Sequence, residues 1–173
     1  MISDYSAKIF RYLITGILLI VMAAGCSQNR DQRDFENQAF RSPDGFTQTS
    51  PSGEVLDSDP DDWRIAPFFQ GLVEVRPAYP NPVQTTGQVK IDVEVTGIEA
   101  VSGLRLVVFY FDDTIEPVYI DQRAPLPPGL SVINVNPIEL GRFNTVESAL
   151  GLHRVILMDG NENIITYGDI KVE

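Results

Sequence analysis

The chain holds a single cysteine, Cys26, and its surroundings favour chemistry at the thiol. Three small residues, Ala-Ala-Gly, precede it and leave room for a peptidase to approach the peptide bond between Gly25 and Cys26. With one cysteine the chain cannot form an internal disulfide. The residues that follow are polar, which is a poor setting for a buried and inert thiol. The thiol is therefore interpreted as an attachment point.

The residues before Cys26 have the pattern of a secretory signal. The run LITGILLIVMAAG is apolar and uncharged over 13 residues, and Lys8 and Arg11 make the preceding segment mildly basic. That length lies within the ~7–15 residues of a signal-peptide core and below the ~20 residues needed to span a bilayer. Residues 1–25 are predicted to be a signal peptide.

The whole pattern resembles the bacterial lipobox, with Ala23 where leucine is usual. The resemblance implies that Cys26 takes a thioether-linked diacylglycerol, becomes the N-terminus after cleavage, and carries a further acyl chain such as palmitate. Several acyl chains, each worth about 0.8 kcal/mol per buried CH₂, hold a protein far more firmly than one. The alternative is an ordinary secretory signal in which the cysteine is incidental.

The other residues able to do chemistry are scattered. The only histidine, His153, sits within GLHRVIL and is expected to point outward from a strand, without a nucleophile beside it. Asp112 and Asp113 are adjacent, which suits a turn better than a carboxylate pair. The runs DSDPDD and MDGNENI lack the glycine and closing acid of a calcium loop. The sequence predicts no enzyme, no metal and no cofactor.

One aromatic cluster is a candidate for ligand stacking. Phe109, Tyr110 and Phe111 are consecutive, and core packing accounts for only alternate members of such a run on a strand. Tyr110 and Phe111 are the candidate residues for stacking on a bound sugar.

The charge of the chain excludes one class of partner. The formal net charge is −11, and loss of residues 1–25, which hold Lys8, Arg11 and Asp4, changes it to about −12. Nucleic-acid binding needs basic patches against phosphates, so no nucleic acid is expected as a partner.

Composition divides the mature chain at Trp63. Residues 26–62 are polar and acidic, and the phenylalanines within them follow no sustained period. Such a segment is predicted to be a disordered linker, and a random coil of this length reaches roughly 30–36 Å. Residues 63–173 are predicted to fold alone as one domain.

The hydrophobic periodicity of residues 63–173 is typical of β-strands. QVKIDVEV places Val93 on a buried face and Glu94 on a solvent face, while LRLVVFYF is apolar on both faces, as in a central strand. Further strand-like runs are separated by turn residues, and Asp159-Gly160 favours a hairpin. In RFNTVESALG, Asn144 is expected to cap a short helix. The pattern predicts an antiparallel, all-β, Ig-like sandwich of about seven strands.

The run Tyr79-Pro80-Asn81-Pro82 resembles the YPNP entry of Ig-like modules in type IX secretion sorting domains and in hook-capping proteins. The likeness extends over roughly residues 72–173. It implies an Ig-like fold in which Tyr79 closes one end of the sandwich. A secretion-related role is one function that the resemblance suggests, although no passenger domain precedes the module.

Together these patterns predict a lipid-anchored protein of the bacterial cell envelope that acts as a non-catalytic adaptor or structural binding module. The expected partners are a membrane, through the lipid, and an envelope protein. Glycan binding is the alternative. Ser27, rather than an aspartate, follows the cysteine, which favours the outer membrane with the domain facing the periplasm.

Overall fold

The computed structural model describes residues 30–98 and 101–173. The predicted signal peptide, the cleavage site at Gly25 and the lipid attachment site at Cys26 lie outside the described residues. Within the described ranges, none of the helices has the length and apolar character needed to cross a membrane.

Strands dominate the described chain. They are β1 (Gln48–Thr49), β2 (Val55–Asp57), β3 (Val73–Val75), β4 (Val89–Val95), β5 (Leu104–Phe109), β6 (Ile115–Asp121), β7 (Gly129–Val135), β8 (Gly151–Met158) and β9 (Ile164–Val172). The described helical segments are residues 30–39 (α1), Val146–Ala149 (α2) and 3-10 turns at Pro67–Phe69 and Pro137–Leu140.

Seven of the strands form a sandwich of two antiparallel sheets, ordered β3-β4-β7 and β6-β5-β8-β9, and β1 and β2 form a separate hairpin. The predicted antiparallel, all-β sandwich with seven strands after residue 63 is confirmed. A constant-type Ig domain places its fourth strand beside the fifth. Here the fourth of the seven, β6, pairs with the third, β5, in the opposite sheet. The order therefore differs from the constant-type arrangement by one strand.

The predicted register of β4 is confirmed. Val89, Ile91, Val93 and Val95 are buried, whereas Lys90 and Glu94 are exposed. Side chains alternate across a strand, so this period places the whole valine and isoleucine set against the opposite sheet.

The prediction of a disordered linker is wrong for residues 30–62. Helix α1 lies on the outer face of the four-stranded sheet, where Phe35 packs on Tyr167 with ring centroids 5.0 Å apart, and Phe35 and Ala39 are buried. The segment lacks a core of its own, but a sheet already stands beneath it. A few apolar side chains at helical spacing are then enough to order it. A fragment starting at residue 62 would expose Tyr167 and the surface around it.

The open edge of β9 is also covered. The N–H groups of Trp63 and Ala66 donate to carbonyl oxygens of β9, and Val83 pairs with Val172 further along. Trp63 folds over Gly168, where a Cβ atom would come within 2.3 Å of the indole ring. Because no row of unpaired edge groups is left at these positions, the edge is protected from pairing with another chain.

Asn81 of the YPNP run joins the N-terminal segment to the sandwich. It is fully buried; its Nδ2 donates to the carbonyl oxygens of Thr47 and Asp169, and its Oδ1 accepts from the N–H of Lys171. Tyr79 does not close the end of the sandwich as expected. It is only half-buried and donates through its hydroxyl to Asp92, on the solvent face of β4.

The short helix expected after Asn144 begins one residue later. Thr145 is the N-cap of α2, and its side chain accepts a hydrogen bond from the N–H of Ser148. The hydroxyl of Ser148 in turn accepts a hydrogen bond from the N–H of Thr145. Asn144 instead adopts a positive φ of 52°. The capping box is therefore formed by Thr145 and Ser148, three residues apart.

Candidate functional site

A groove of about 570 Å³ opens at one end of the sandwich. Three parts of the chain form it: the end of β5 with the turn that follows, the crossover from β7 to β8 with α2 and the first residues of β8, and residues 42–43 after α1. Its walls are mostly apolar, with a few polar groups. Only the first of these three parts was predicted from the sequence to lie near a ligand.

The turn between β5 and β6 is built from its acidic residues, as predicted. Asp113 takes a positive φ of 61°, and its N–H donates to the carbonyl oxygen of Tyr110. Asp112 Oδ1 accepts from the hydroxyl of Thr114 at 2.6 Å. The side chain of Asp112 also forms an ion pair with Arg142, which joins the turn to the crossover. These bonds, first to Thr114 and then to Arg142, lower the pKa of Asp112.

The two predicted stacking residues face different surroundings. Phe111 projects into solvent with 84% of its surface exposed. Tyr110 is half-buried, and the guanidinium of Arg142 lies 5.6 Å from the centre of its ring. Its hydroxyl is buried without a hydrogen-bond partner among the described residues, and burial, followed by the charge of Glu116, raises its pKa. Phe111 alone therefore offers an open ring face to a ligand.

His153 forms part of the groove wall and is half-buried, so the expectation of an outward-facing residue is wrong. Its Nε2 lies 2.7 Å from the carbonyl oxygen of Ala149. A carbonyl oxygen only accepts, so Nε2 carries the proton and donates. Burial lowers the pKa of the ring, which keeps it neutral. This contact fixes the imidazole against α2 and supplies no nucleophile.

A second polar cluster lies beneath α1, on the outer face of the four-stranded sheet. Arg154 on β8 forms a bidentate ion pair with Asp169 on β9, at 2.5 and 2.8 Å, and both residues are buried. Arg154 also donates to the carbonyl oxygen of Gln38 in α1. The pair therefore connects the helix to the sheet.

Asp62 completes this cluster and is itself buried. Its Oδ2 accepts from the N–H of Thr47 and its Oδ1 from the N–H of Asp169. The pKa of Asp62 is raised to about 7: burial is the largest cause, the charges of Asp169 and Asp59 also raise the pKa, and the Thr47 amide and the charge of Arg154 lower it. Sequence reasoning missed this cluster, because Asp62 and Asp169 are 107 positions apart.

We expect the free energy of unfolding to fall as the pH rises from about 4 to about 7. In that range the folded protein keeps a proton on Asp62 that the unfolded chain, with a pKa of 3.8, has released. Rising pH therefore favours unfolding, by roughly 3 kcal/mol over the full interval. Urea unfolding at a series of pH values measures this slope.

Asp62→Asn is the matched control for this slope, because asparagine does not titrate. The lowered pKa of His153 makes the free energy of unfolding rise with pH below about 6.5, which opposes the effect of Asp62. His153 is present in both proteins, so its contribution cancels in the difference between their free energies of unfolding. A difference between the two proteins that stays constant from pH 4 to 7 would contradict a protonated Asp62.

The acidic turn at Asp159 is a hairpin turn, as the sequence predicted. Asp159 Oδ1 accepts from the N–H groups of Asn161 and Asn163, so its carboxylate organises the turn itself. Within residues 30–98 and 101–173, no three His, Cys, Asp or Glu side chains are placed to hold a metal ion.

No family model matches the chain, and no curated protein matches it either. The resemblances to a lipobox and to the YPNP module therefore stay predictions.

Proposed function

We propose that this protein is a lipid-anchored binding module of the bacterial cell envelope and that it holds another envelope protein in the groove at the end of its sandwich. One observation carries the proposal. Two loops joined by the ion pair between Asp112 and Arg142 present apolar side chains to water around the groove, with Phe111 84% and Leu150 51% exposed. Apolar surface grouped around a groove is typical of an interaction site.

A protein fits this surface better than a glycan does. Sugars bind by stacking on aromatic rings, and Phe111 is the one open ring in the groove wall. Aliphatic side chains such as Leu150 gain little from a sugar, whereas a protein partner can bury them together with the aromatic ring. Glycan binding remains the second candidate, because the exposed Phe111 ring lies beside the polar pair Asp112 and Arg142.

The anchor is proposed from the lipobox pattern at Cys26. Mass spectrometry of the mature protein should find an N-terminal, acylated Cys26, and an unmodified Cys26 would contradict the anchor.

The outer membrane, with the domain facing the periplasm, is the proposed location. Removal of the domain by protease added to intact cells would contradict this orientation.

The groove is tested by cross-linking in cells. A photoreactive residue placed at Ser42, on the rim of the groove, should cross-link to one defined envelope protein. Phe111→Ser should weaken recovery of that protein at least about tenfold, as loss of a central aromatic contact does. Leu130→Ser is the matched control, since Leu130 is 63% exposed on β7 and lies outside the groove.

Two other outcomes would overturn the protein-binding proposal. If Phe111→Ser and Leu130→Ser have the same effect, the groove is not the binding surface. If Phe111→Ser abolishes retention in polysaccharide affinity gels, and no protein cross-links at Ser42, the ligand is a glycan.

A further inference from the structure

The end of the sandwich opposite the groove also presents apolar side chains to solvent. Phe68, Leu72 and Ile98 are 51%, 36% and 84% exposed. The N–H groups of Thr96 and Gly97 both donate to the carbonyl oxygen of Leu72, so the loop before β3 and the loop after β4 lie side by side. The three apolar side chains therefore belong to one end of the molecule.

Helix α1 starts at this same end. Gln32 Oε1 accepts from the N–H of Phe68, and Gln32, Arg33 and Phe68 line one shallow depression. The helix then crosses the outer face of the sheet toward the groove, where Phe40 packs on Phe109. Its first described residue, Arg30, is thus close to Phe68 and far from the groove.

The chain between the predicted lipid and this helix is short. Four residue steps separate Cys26 from Arg30. An extended chain covers at most about 3.6 Å per residue, so the two residues are no more than about 14 Å apart. The tether of roughly 30–36 Å that the sequence predicted does not exist, because residues 30–62 are part of the folded domain. An acylated Cys26 would hold the domain against the membrane surface.

We propose that Phe68, Leu72 and Ile98 dock on the lipid bilayer, with their side chains at the level of the headgroups beside the acyl chains on Cys26. The inference rests on the proposed lipid anchor. Apolar side chains that a short tether holds at a bilayer surface are stabilised by leaving water for the interface. The acidic net charge of the chain gives anionic headgroups no general attraction for it, so the contact is apolar.

This docking fixes the orientation of the groove. Strand β8 runs from Gly151, which lines the groove, to Met158 near the opposite end, and it contains eight residues. Seven residue steps separate its ends, and at about 3.3 Å per step the strand spans about 23 Å. The groove therefore faces away from the membrane, at about that height, and is open to a partner in the aqueous compartment.

Site-specific fluorescence tests the contact. The sulfur of Cys26 is a thioether in the acylated protein, so an introduced cysteine is the only free thiol of the chain. The acylated full-length protein is reconstituted in phosphatidylcholine vesicles with an environment-sensitive dye at Phe68→Cys or Ile98→Cys. The matched control is Phe143→Cys, which is 74% exposed in the crossover at the groove end. A nitroxide on the lipid acyl chain should quench the dye severalfold at positions 68 and 98, and hardly at 143.

A second pair of variants separates insertion from mere proximity. A dye at Leu72→Cys should be quenched when the rest of the chain is native. The same dye should lose this quenching when the chain also carries Phe68→Ser and Ile98→Ser. Both serine substitutions are at exposed positions, so the melting temperature should stay unchanged. If the dye at position 72 stays equally quenched, the side chains do not insert and the proposal is overturned.

The two proposals fail in different ways. Equal quenching at positions 68, 98 and 143 in a protein that mass spectrometry shows to be acylated overturns docking and leaves the lipid anchor intact. An unmodified Cys26 overturns the anchor and docking together.

Discussion

Val93→Asp is expected to leave the domain unfolded at room temperature, or to lower its free energy of unfolding by more than about 4 kcal/mol. Val93 is fully buried at the middle of β4, between Val75 on β3 and Ser131 on β7. A carboxylate there would either be buried without a partner or take up a proton, and both cost several kcal/mol. Loss of the cooperative thermal transition by circular dichroism, or a matching shift in urea unfolding, measures the effect.

Glu94→Lys is the control one residue along the same strand. Glu94 is exposed and lies opposite Glu74, so lysine there would replace a like-charge pair with an opposite-charge pair. Cross-strand pairs of this kind change stability by about 0.2–1 kcal/mol, and the change here should be slightly stabilising. A large loss of stability in Glu94→Lys, with little loss in Val93→Asp, would show that the register of β4 is shifted by one residue.

The sandwich could be predicted from the sequence because its strands carry their own signals. β4 alternates strictly, β5 is apolar on both faces, and Asp159-Gly160 marks the hairpin between β8 and β9. These signals are local, so they predict each strand without reference to the strands that become its neighbours. The sheet to which β6 belongs could not be predicted in this way, since that choice depends on the packing of distant segments.

The N-terminal segment escaped prediction for the opposite reason. Phe35 and Ala39 are four positions apart on α1, but so few apolar side chains do not stabilise a helix in isolation. It is ordered by contact with Tyr167, more than 130 positions later in the chain. Residue composition indicates how much apolar surface a segment can bury by itself. It wrongly predicted disorder here because the apolar surface that orders the helix belongs to a distant part of the chain.

The candidate groove was predictable only in part. The adjacent aromatics and the acidic turn drew attention to Tyr110, Phe111 and Asp112 from sequence alone. Arg142, which covers Tyr110 and pairs with Asp112, is about 30 positions away, and no local pattern links them. Its position depends on how the crossover between β7 and β8 folds back over the end of the sandwich.

The ion pair under α1 was only partly within reach of sequence reasoning. Asp159-Gly160 predicts that β8 and β9 are neighbours, but a two-residue turn there would place Arg154 opposite Ile165. The longer turn and the register shift between Leu157 and Met158 place Arg154 opposite Asp169 instead. A cationic and an anionic residue facing each other in the middle of two apolar strands indicate a buried pair. What could not be inferred is the cover that buries them, because it comes from the segment that the sequence predicted to be disordered.

Asp169→Asn is expected to lower the free energy of unfolding by about 3 kcal/mol or more. The substitution keeps the shape of the side chain but leaves the guanidinium of Arg154 buried without its counter-charge. Removing one partner of a buried ion pair destabilises a protein more than replacing both partners by apolar residues does. Urea unfolding at pH 7 measures the loss. Glu173→Gln, directly after the same strand, is the control, because its ion pair with Lys171 is exposed and should be worth no more than about 1 kcal/mol.

The pH dependence of Asp169→Asn distinguishes electrostatics from simple loss of packing. In the native protein the charge of Asp169 helps to keep Asp62 protonated, while Arg154 is already paired. Without that charge, Asp62 is the nearest carboxyl group that can balance Arg154, so its pKa should fall toward its ordinary value. The decline in stability expected between about pH 4 and 7 should then become shallower in the variant, because the folded state no longer retains the proton. An unchanged slope would mean that Asp62 does not respond to its neighbours, and that the three groups do not act as one cluster.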